Sequence, residues 1–151
     1  MINIIILSLI MVQITHFTII KTSEININNS EVIKFLYVTI PLLISMLYMK
    51  HSFTEEFLRY SILICFLIVI SIIDYYTMYI YDITIISGII IQGGIFLISP
   101  DAKTYITALL IGIIIPYILA KITKGLGEGD IGLYGLCCFV LGKNYSIYVE
   151  C

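Results

Sequence analysis

Three carboxylates stand hard against long apolar runs. Asp74 closes ILICFLIVISII, Asp82 opens ITIISGIII, and Asp130 follows the glycine-rich GLGEG just ahead of another apolar stretch. An ionisable side chain at membrane depth costs about 2.5–3.5 kcal/mol on insertion scales, so each calls for a reason. One reason is structural: an acid at a helix N-terminus meets the positive end of the helix dipole, which suits Asp82 and Asp130. The other is chemical. Two carboxyl groups that meet cannot both ionise easily and share one proton; one then acts as base on water while the other acts as acid toward a carbonyl oxygen. Such a pair hydrolyses a peptide bond with no covalent enzyme intermediate, and it titrates as a unit, so neither role belongs to one residue alone. Gly127 and Gly129 flank Glu128 immediately before Asp130. Glycines permit a closeness of approach that side chains forbid, which would let a peptide reach the carboxylate. The same glycines fit a plain loop. A phosphate cradle of the GxGxxG kind fits less well, because Asp130 repels the anion it would hold.

The remaining polar side chains supply no rival nucleophile. His16 falls inside an apolar run and His51 in a short polar stretch, neither with a matched Ser or Cys, and both are expected to be structural. Cys65, Cys137, Cys138 and Cys151 show no CxxC spacing, whereas tetrahedral zinc wants paired ligands close together. The cysteines are therefore read as small apolar side chains, and no metal or cofactor is expected. Lys121 and Lys124 precede the glycine-rich turn. They either raise the local potential around Asp130 or reach from an apolar stem to the interface, as lysines do.

What must position these acids follows from composition. Of 151 residues, 60% are hydrophobic and 12% charged, with a mean hydropathy of +1.08. That balance excludes a water-soluble globule and, equally, a disordered tail. A net charge of -2 leaves no basic face for phosphates, so nucleic acid is not an expected partner. The lipid bilayer is the expected solvent. Apolar runs near the ~17–25 residues a helix needs to cross hydrocarbon occupy 2–20, 32–49, 57–73, 83–99 and 104–120. A sixth opens at Ile131, is apolar to Leu141, and is either short or cut off at Cys151. Isoleucine would suit strands, but the runs do not alternate as barrel strands must, and a helix pairs its own backbone groups in lipid.

The expected fold is an all-α, multi-pass transmembrane bundle of about six spans, a single membrane-embedded domain over 1–151 without internal repeats. Pro41 and Pro116 sit inside spans as kinks, and Gln92, Gly93 and Gly94 are expected to allow close helix packing. The first residues lack the basic start and small-residue cleavage site of a secretory signal, so that segment is expected to be retained. Lysine and arginine divide evenly between the two faces and do not orient the chain. Parity does place the stretches 74–82 and 121–130, two spans apart, on one face.

Taken together, IDYYTMYIYD and GLGEGD in a multi-span chain resemble the prepilin peptidases, membrane aspartic proteases that cleave the leaders of type IV prepilins and pseudopilins. The resemblance covers roughly 41–142, the expected peptidase-like core. PLLISMLYMK resembles the family's Pro-Leu-Leu-Ser stretch, and LYGLCCFVLG the span after its second Asp. The resemblance implies that Asp74 and Asp130 form the catalytic dyad. It also implies that Asp82 is a capping acid, and that Gly127, Glu128 and Gly129 support the GxGD element or the substrate. It further implies a multi-pass protein of the inner membrane, cutting at the cytoplasmic face between a polar leader and an apolar helix. A basic leader would be steered by Asp74, Asp82, Glu128 and Asp130. Tyr81 stands where the family has proline, and Gly132 where a lysine commonly follows the second Asp. The paired-cysteine insert that accompanies N-methyltransferase activity is absent between Met49 and Glu56, so peptidase activity alone is expected.

Three other readings stay open. A non-catalytic or truncated membrane subunit would keep the acids without using them. A small transporter would use them as proton or cation sites. An intramembrane protease of the presenilin kind would pair Asp130 with Asp82, because Tyr81 and Asp82 form a Tyr-Asp step ahead of GxGD. The residues alone do not fix the oligomeric state or the particular pilin.

Overall fold

The computed structural model describes residues 2–22, 30–96, 102–123 and 127–149, and all of its elements are helices: α1 (Ile2–Thr22), α2 (Ser30–His51), α3 (Glu55–Thr77), α4 (Asp82–Phe96), α5 (Ala102–Thr123) and α6 (Glu128–Val149). Of these, α1, α2, α3 and α5 are long and apolar enough to cross a membrane. Their outer faces carry large exposed side chains such as Ile10, Val38, Leu58 and Ile114. Water would not tolerate so much apolar surface, and lipid does. The all-α expectation holds. α4 is described over 15 residues, and the part of the expected span beyond Phe96 lies outside the described residues.

The chain divides into two compact units, Met1–Met78 and Tyr79–Cys151. In the first, α1, α2 and α3 each pack on the other two. Val32, Leu36, Ile40 and Ile44 of α2 recur every four residues and are buried, as one stripe of a 3.6-residue helix must be when it faces its neighbours. Val12, Thr15 and Ile19 of α1, three and four residues apart, form a buried stripe in the same way. Among the four helices long enough to cross a membrane, α3 is the most enclosed, with 56% of its apolar window buried against 17% for α5. It starts on Thr54, whose hydroxyl accepts from the Phe57 N–H at 3.3 Å, with Glu55 and Glu56 in the first turn; acceptor and acids together satisfy the free donors of a helix start. Phe57 is wholly buried and meets Tyr48 edge-on at 5.9 Å. His51 ends α2 rather than lying in a loop and contacts Glu56 at 3.2 Å, linking the end of α2 to the first turn of α3.

In the second unit α6 packs on both α5 and α4, and its glycines explain how. A Cβ at Gly135 would lie 2.7 Å from Ile113, and one at Gly142 2.8 Å from Ala108, so α5 and α6 form a tight antiparallel hairpin. On another face, Gly129 and Gly132 bring α6 against Ile80 and Ile85. Far from those glycines, Phe96, Tyr105 and Phe139 form an aromatic cluster with ring centroids 4.0 and 4.7 Å apart. The order of these contacts sets α4 and α6 side by side in the same direction. One expectation fails. Gly93 and Gly94 have nothing within 4 Å of where a Cβ would be, because the buried face of α4 runs through Thr84, Ile85, Gly88, Gln92 and Phe96. The two glycines sit off that face, and close packing in this unit is the work of α6.

Candidate active site

All three acids occupy helix ends, but two of them sit differently from the sequence expectation. Asp74 lies in the last turn of α3 rather than after it, because α3 continues through Tyr75, Tyr76 and Thr77. That turn ends on Met78, whose left-handed backbone (φ 52°, ψ 32°) lets its N–H donate to the Asp74 carbonyl at 2.7 Å. The Asp74 side chain is exposed. The expected 74–82 loop shrinks to Met78, Tyr79, Ile80 and Tyr81. Asp82 then opens α4 and is exposed as well.

The entry to α4 closes on Tyr81, whose carbonyl accepts from both the Thr84 N–H (3.0 Å) and the Thr84 hydroxyl (2.7 Å). This pair of bonds makes the turn at the position where the resemblance expects proline. It also gives the otherwise buried Thr84 a structural task that nothing in the sequence marked.

The GxGD element is likewise not a loop. Glu128, Gly129 and Asp130 form the first turn of α6. The Asp130 N–H donates to the Gly127 carbonyl at 3.2 Å, and the Gly127 N–H donates back to Asp130 Oδ2 at 3.3 Å. Reciprocal bonds of this kind, with an acid at the third helical position, hold a helix start in one geometry. They fix the direction of a half-buried carboxyl at the positive end of a helix dipole. Glu128 is exposed beside it.

Gly129 is the tightest fit in this turn. A Cβ there would come within 2.8 Å of Ile80 Cβ, a branch point that no rotation can withdraw. The turn carrying Asp130 is thereby pressed onto the segment that joins α3 to α4. Ile80 is a positioning residue that sequence reasoning missed, since an isoleucine between two tyrosines carries no signal of its own. Gly132 has a similar explanation: a side chain there would first meet Ile85 Cδ1 at 2.9 Å. The α4–α6 contact occupies the space where the resemblance expects a lysine.

Because α4 and α6 run the same way, Asp82 and Asp130, the last residues of the stretches 74–82 and 121–130 that parity expects on one face, lie at one end of the second unit. Tyr79, Tyr81 and Tyr117 belong to that end, and the Lys121 ammonium sits 4.8 Å from the Tyr117 ring centroid. Tyrosine and snorkelling lysine are the residues that settle at headgroup level. Lys121 thus packs over a tyrosine one turn before it on α5, while Lys124 lies outside the described residues. Among the described residues, no three of His, Cys, Asp and Glu cluster as a metal site. Gly127, Glu128, Gly129 and Asp130 are thus brought into one turn, with Asp82 at the same end of the unit, and Asp74 belongs to the first unit.

Comparison with curated proteins and with solved structures gives no match. A model of the type IV leader peptidase family matches residues 61–150, a stretch that contains all three acids, the capped GxGD turn and the α4–α6 contact. The chain belongs to that family of proteases.

Proposed function

We propose that this protein is an aspartic-type endopeptidase that removes the leader of a type IV prepilin or pseudopilin, with Asp74 and Asp130 as its dyad. The observation that carries the reading is the capped first turn of α6, where Asp130 is aimed by Gly127 and packed through Gly129 onto Ile80. Asp74 joins it on the resemblance of IDYYTMYIYD to the first motif of the prepilin peptidases. One carboxylate takes a proton from water as the water oxygen attacks the scissile carbonyl carbon. The other, protonated, hydrogen-bonds the carbonyl oxygen. The tetrahedral adduct collapses as the leaving nitrogen gains a proton and the C–N bond breaks. The scissile bond joins a polar leader to an apolar helix at the cytoplasmic face of the inner membrane. Glu128 and the acids around it attract a basic leader, and no methyl transfer follows.

Replacing Asp74 or Asp130 by Asn is expected to lower processing of a co-expressed prepilin by about 10²–10⁴-fold, the usual share of acid–base catalysis; retained cleavage with both replaced ends the proposal. A second reading pairs Asp130 with Asp82, and the observation favouring it is that both open helices at one end of the same unit. The single variants separate the two. Loss in Asp82→Asn with full activity in Asp74→Asn selects the second.

A further inference from the structure

An open apolar groove runs along the first unit between α2 and α3. One stretch, of 290 Å³, is lined by Leu43, Ile64, Leu67 and Ile68. The next, of 360 Å³, is lined by Val32, Glu31, Tyr75 and Tyr76. Phe35, Ser71 and Ile72 line both, so the two stretches are continuous. From Ile64 to Tyr76 the groove follows α3 for about 18 Å, a little over three helical turns. It does not arise from loose packing of α2, since Leu36, Ile40 and Ile44 on another face of that helix are fully buried. The groove is a feature of the face that carries Phe35.

We propose that this groove seats the apolar helix of the substrate and delivers the leader junction to Asp74. The proposal rests on the protease reading above. Two properties of the groove choose this occupant over a lipid chain. Its lining changes along its length: apolar for most of the way, it ends on Glu31 and two tyrosines in the same turn of α3 as Asp74. A segment that is apolar for three turns and then becomes polar matches that profile. The charge at that end is the second property. Glu31 lines that end, Asp74 stands in the adjoining turn of α3, and no basic residue is among the described lining residues, so a phospholipid's phosphate is disfavoured and a cationic leader is favoured. Ser71, small, exposed and shared by both stretches, is the position where bulk obstructs the groove most directly.

The test uses the full chain in liposomes with a full-length type IV prepilin. A photoreactive benzoyl-phenylalanine replaces Leu67, and adducts to prepilin and to labelled phospholipid are counted. In the otherwise native chain, Ser71→Phe is assayed for cleavage. The expected results are an adduct within the prepilin's apolar helix and a KM raised tenfold or more by Ser71→Phe, with kcat changed much less. Adducts to lipid alone overturn the groove, as does an unaltered KM. Prepilin cross-linked at position 67 but never cleaved sustains the groove while the protease reading falls. Cleavage without any prepilin adduct does the reverse.

Discussion

At Asp130 a single carboxyl meets two demands, since it closes the first turn of α6 through the Gly127 N–H and is proposed to handle a proton in catalysis. The acids were legible in the sequence because a carboxylate against an apolar run is costly and therefore conspicuous. Their contacts were not, since a close approach depends on how two helices cross, which residue types do not encode. Gly129 shows the difference: the motif drew attention to it, but its partner Ile80 emerges only from the packing. Gly129→Ala is expected to cut leader processing at least tenfold by pushing the turn off Ile80 Cβ. Adding Ile80→Gly removes the obstructing carbon and should recover most of that loss. A double variant as impaired as the single one would show that the contact does not set the site.

Helices were legible by the length of their apolar runs, and their ends less so. The end of α3 passes Ile73 because Asp74, Tyr75 and Tyr76 remain helical at an interface where polar tips are tolerated, and the turn then stops on Met78. That residue occupies the left-handed region at φ 52°, which costs a non-glycine residue about 1–2 kcal/mol. Glycine removes this cost but adds roughly 0.5–1 kcal/mol of chain entropy. Met78→Gly is therefore expected to stabilise the protein by about 0.5–1 kcal/mol, read as a higher midpoint of thermal unfolding in detergent. Leu36, fully buried on the α2 stripe, should behave oppositely: Leu36→Ala leaves a cavity worth at least ~2 kcal/mol, and the same unfolding assay would register the drop. The small residues of α4 misled for a physical reason. Gly93 and Gly94 announce that a neighbour can come close, but burial of Gln92 and Phe96 decides which side it comes from.

For the molecule as a whole, composition sufficed to assign the solvent, and the helices bear it out. The division after Met78 was illegible because the connection has no linker composition; it is a four-residue turn between two apolar helices. The depth of the acid-bearing end of the second unit matters on this scale. Asp82 and Asp130 open α4 and α6 at that end and belong in water, so the thickness of the hydrocarbon sets how close to the headgroups they stand. A bilayer too thick for that end must compress or draw the acids inward, at a modest cost for each ångström of mismatch. Turnover should consequently depend on acyl length: vesicles of fourteen-carbon chains are expected to support faster processing than those of twenty-two, and equal rates in both would contradict the idea. A protease built this way senses the girth of its own surroundings, and a cell that remodels its fatty acids would retune leader removal without altering a single residue of the enzyme.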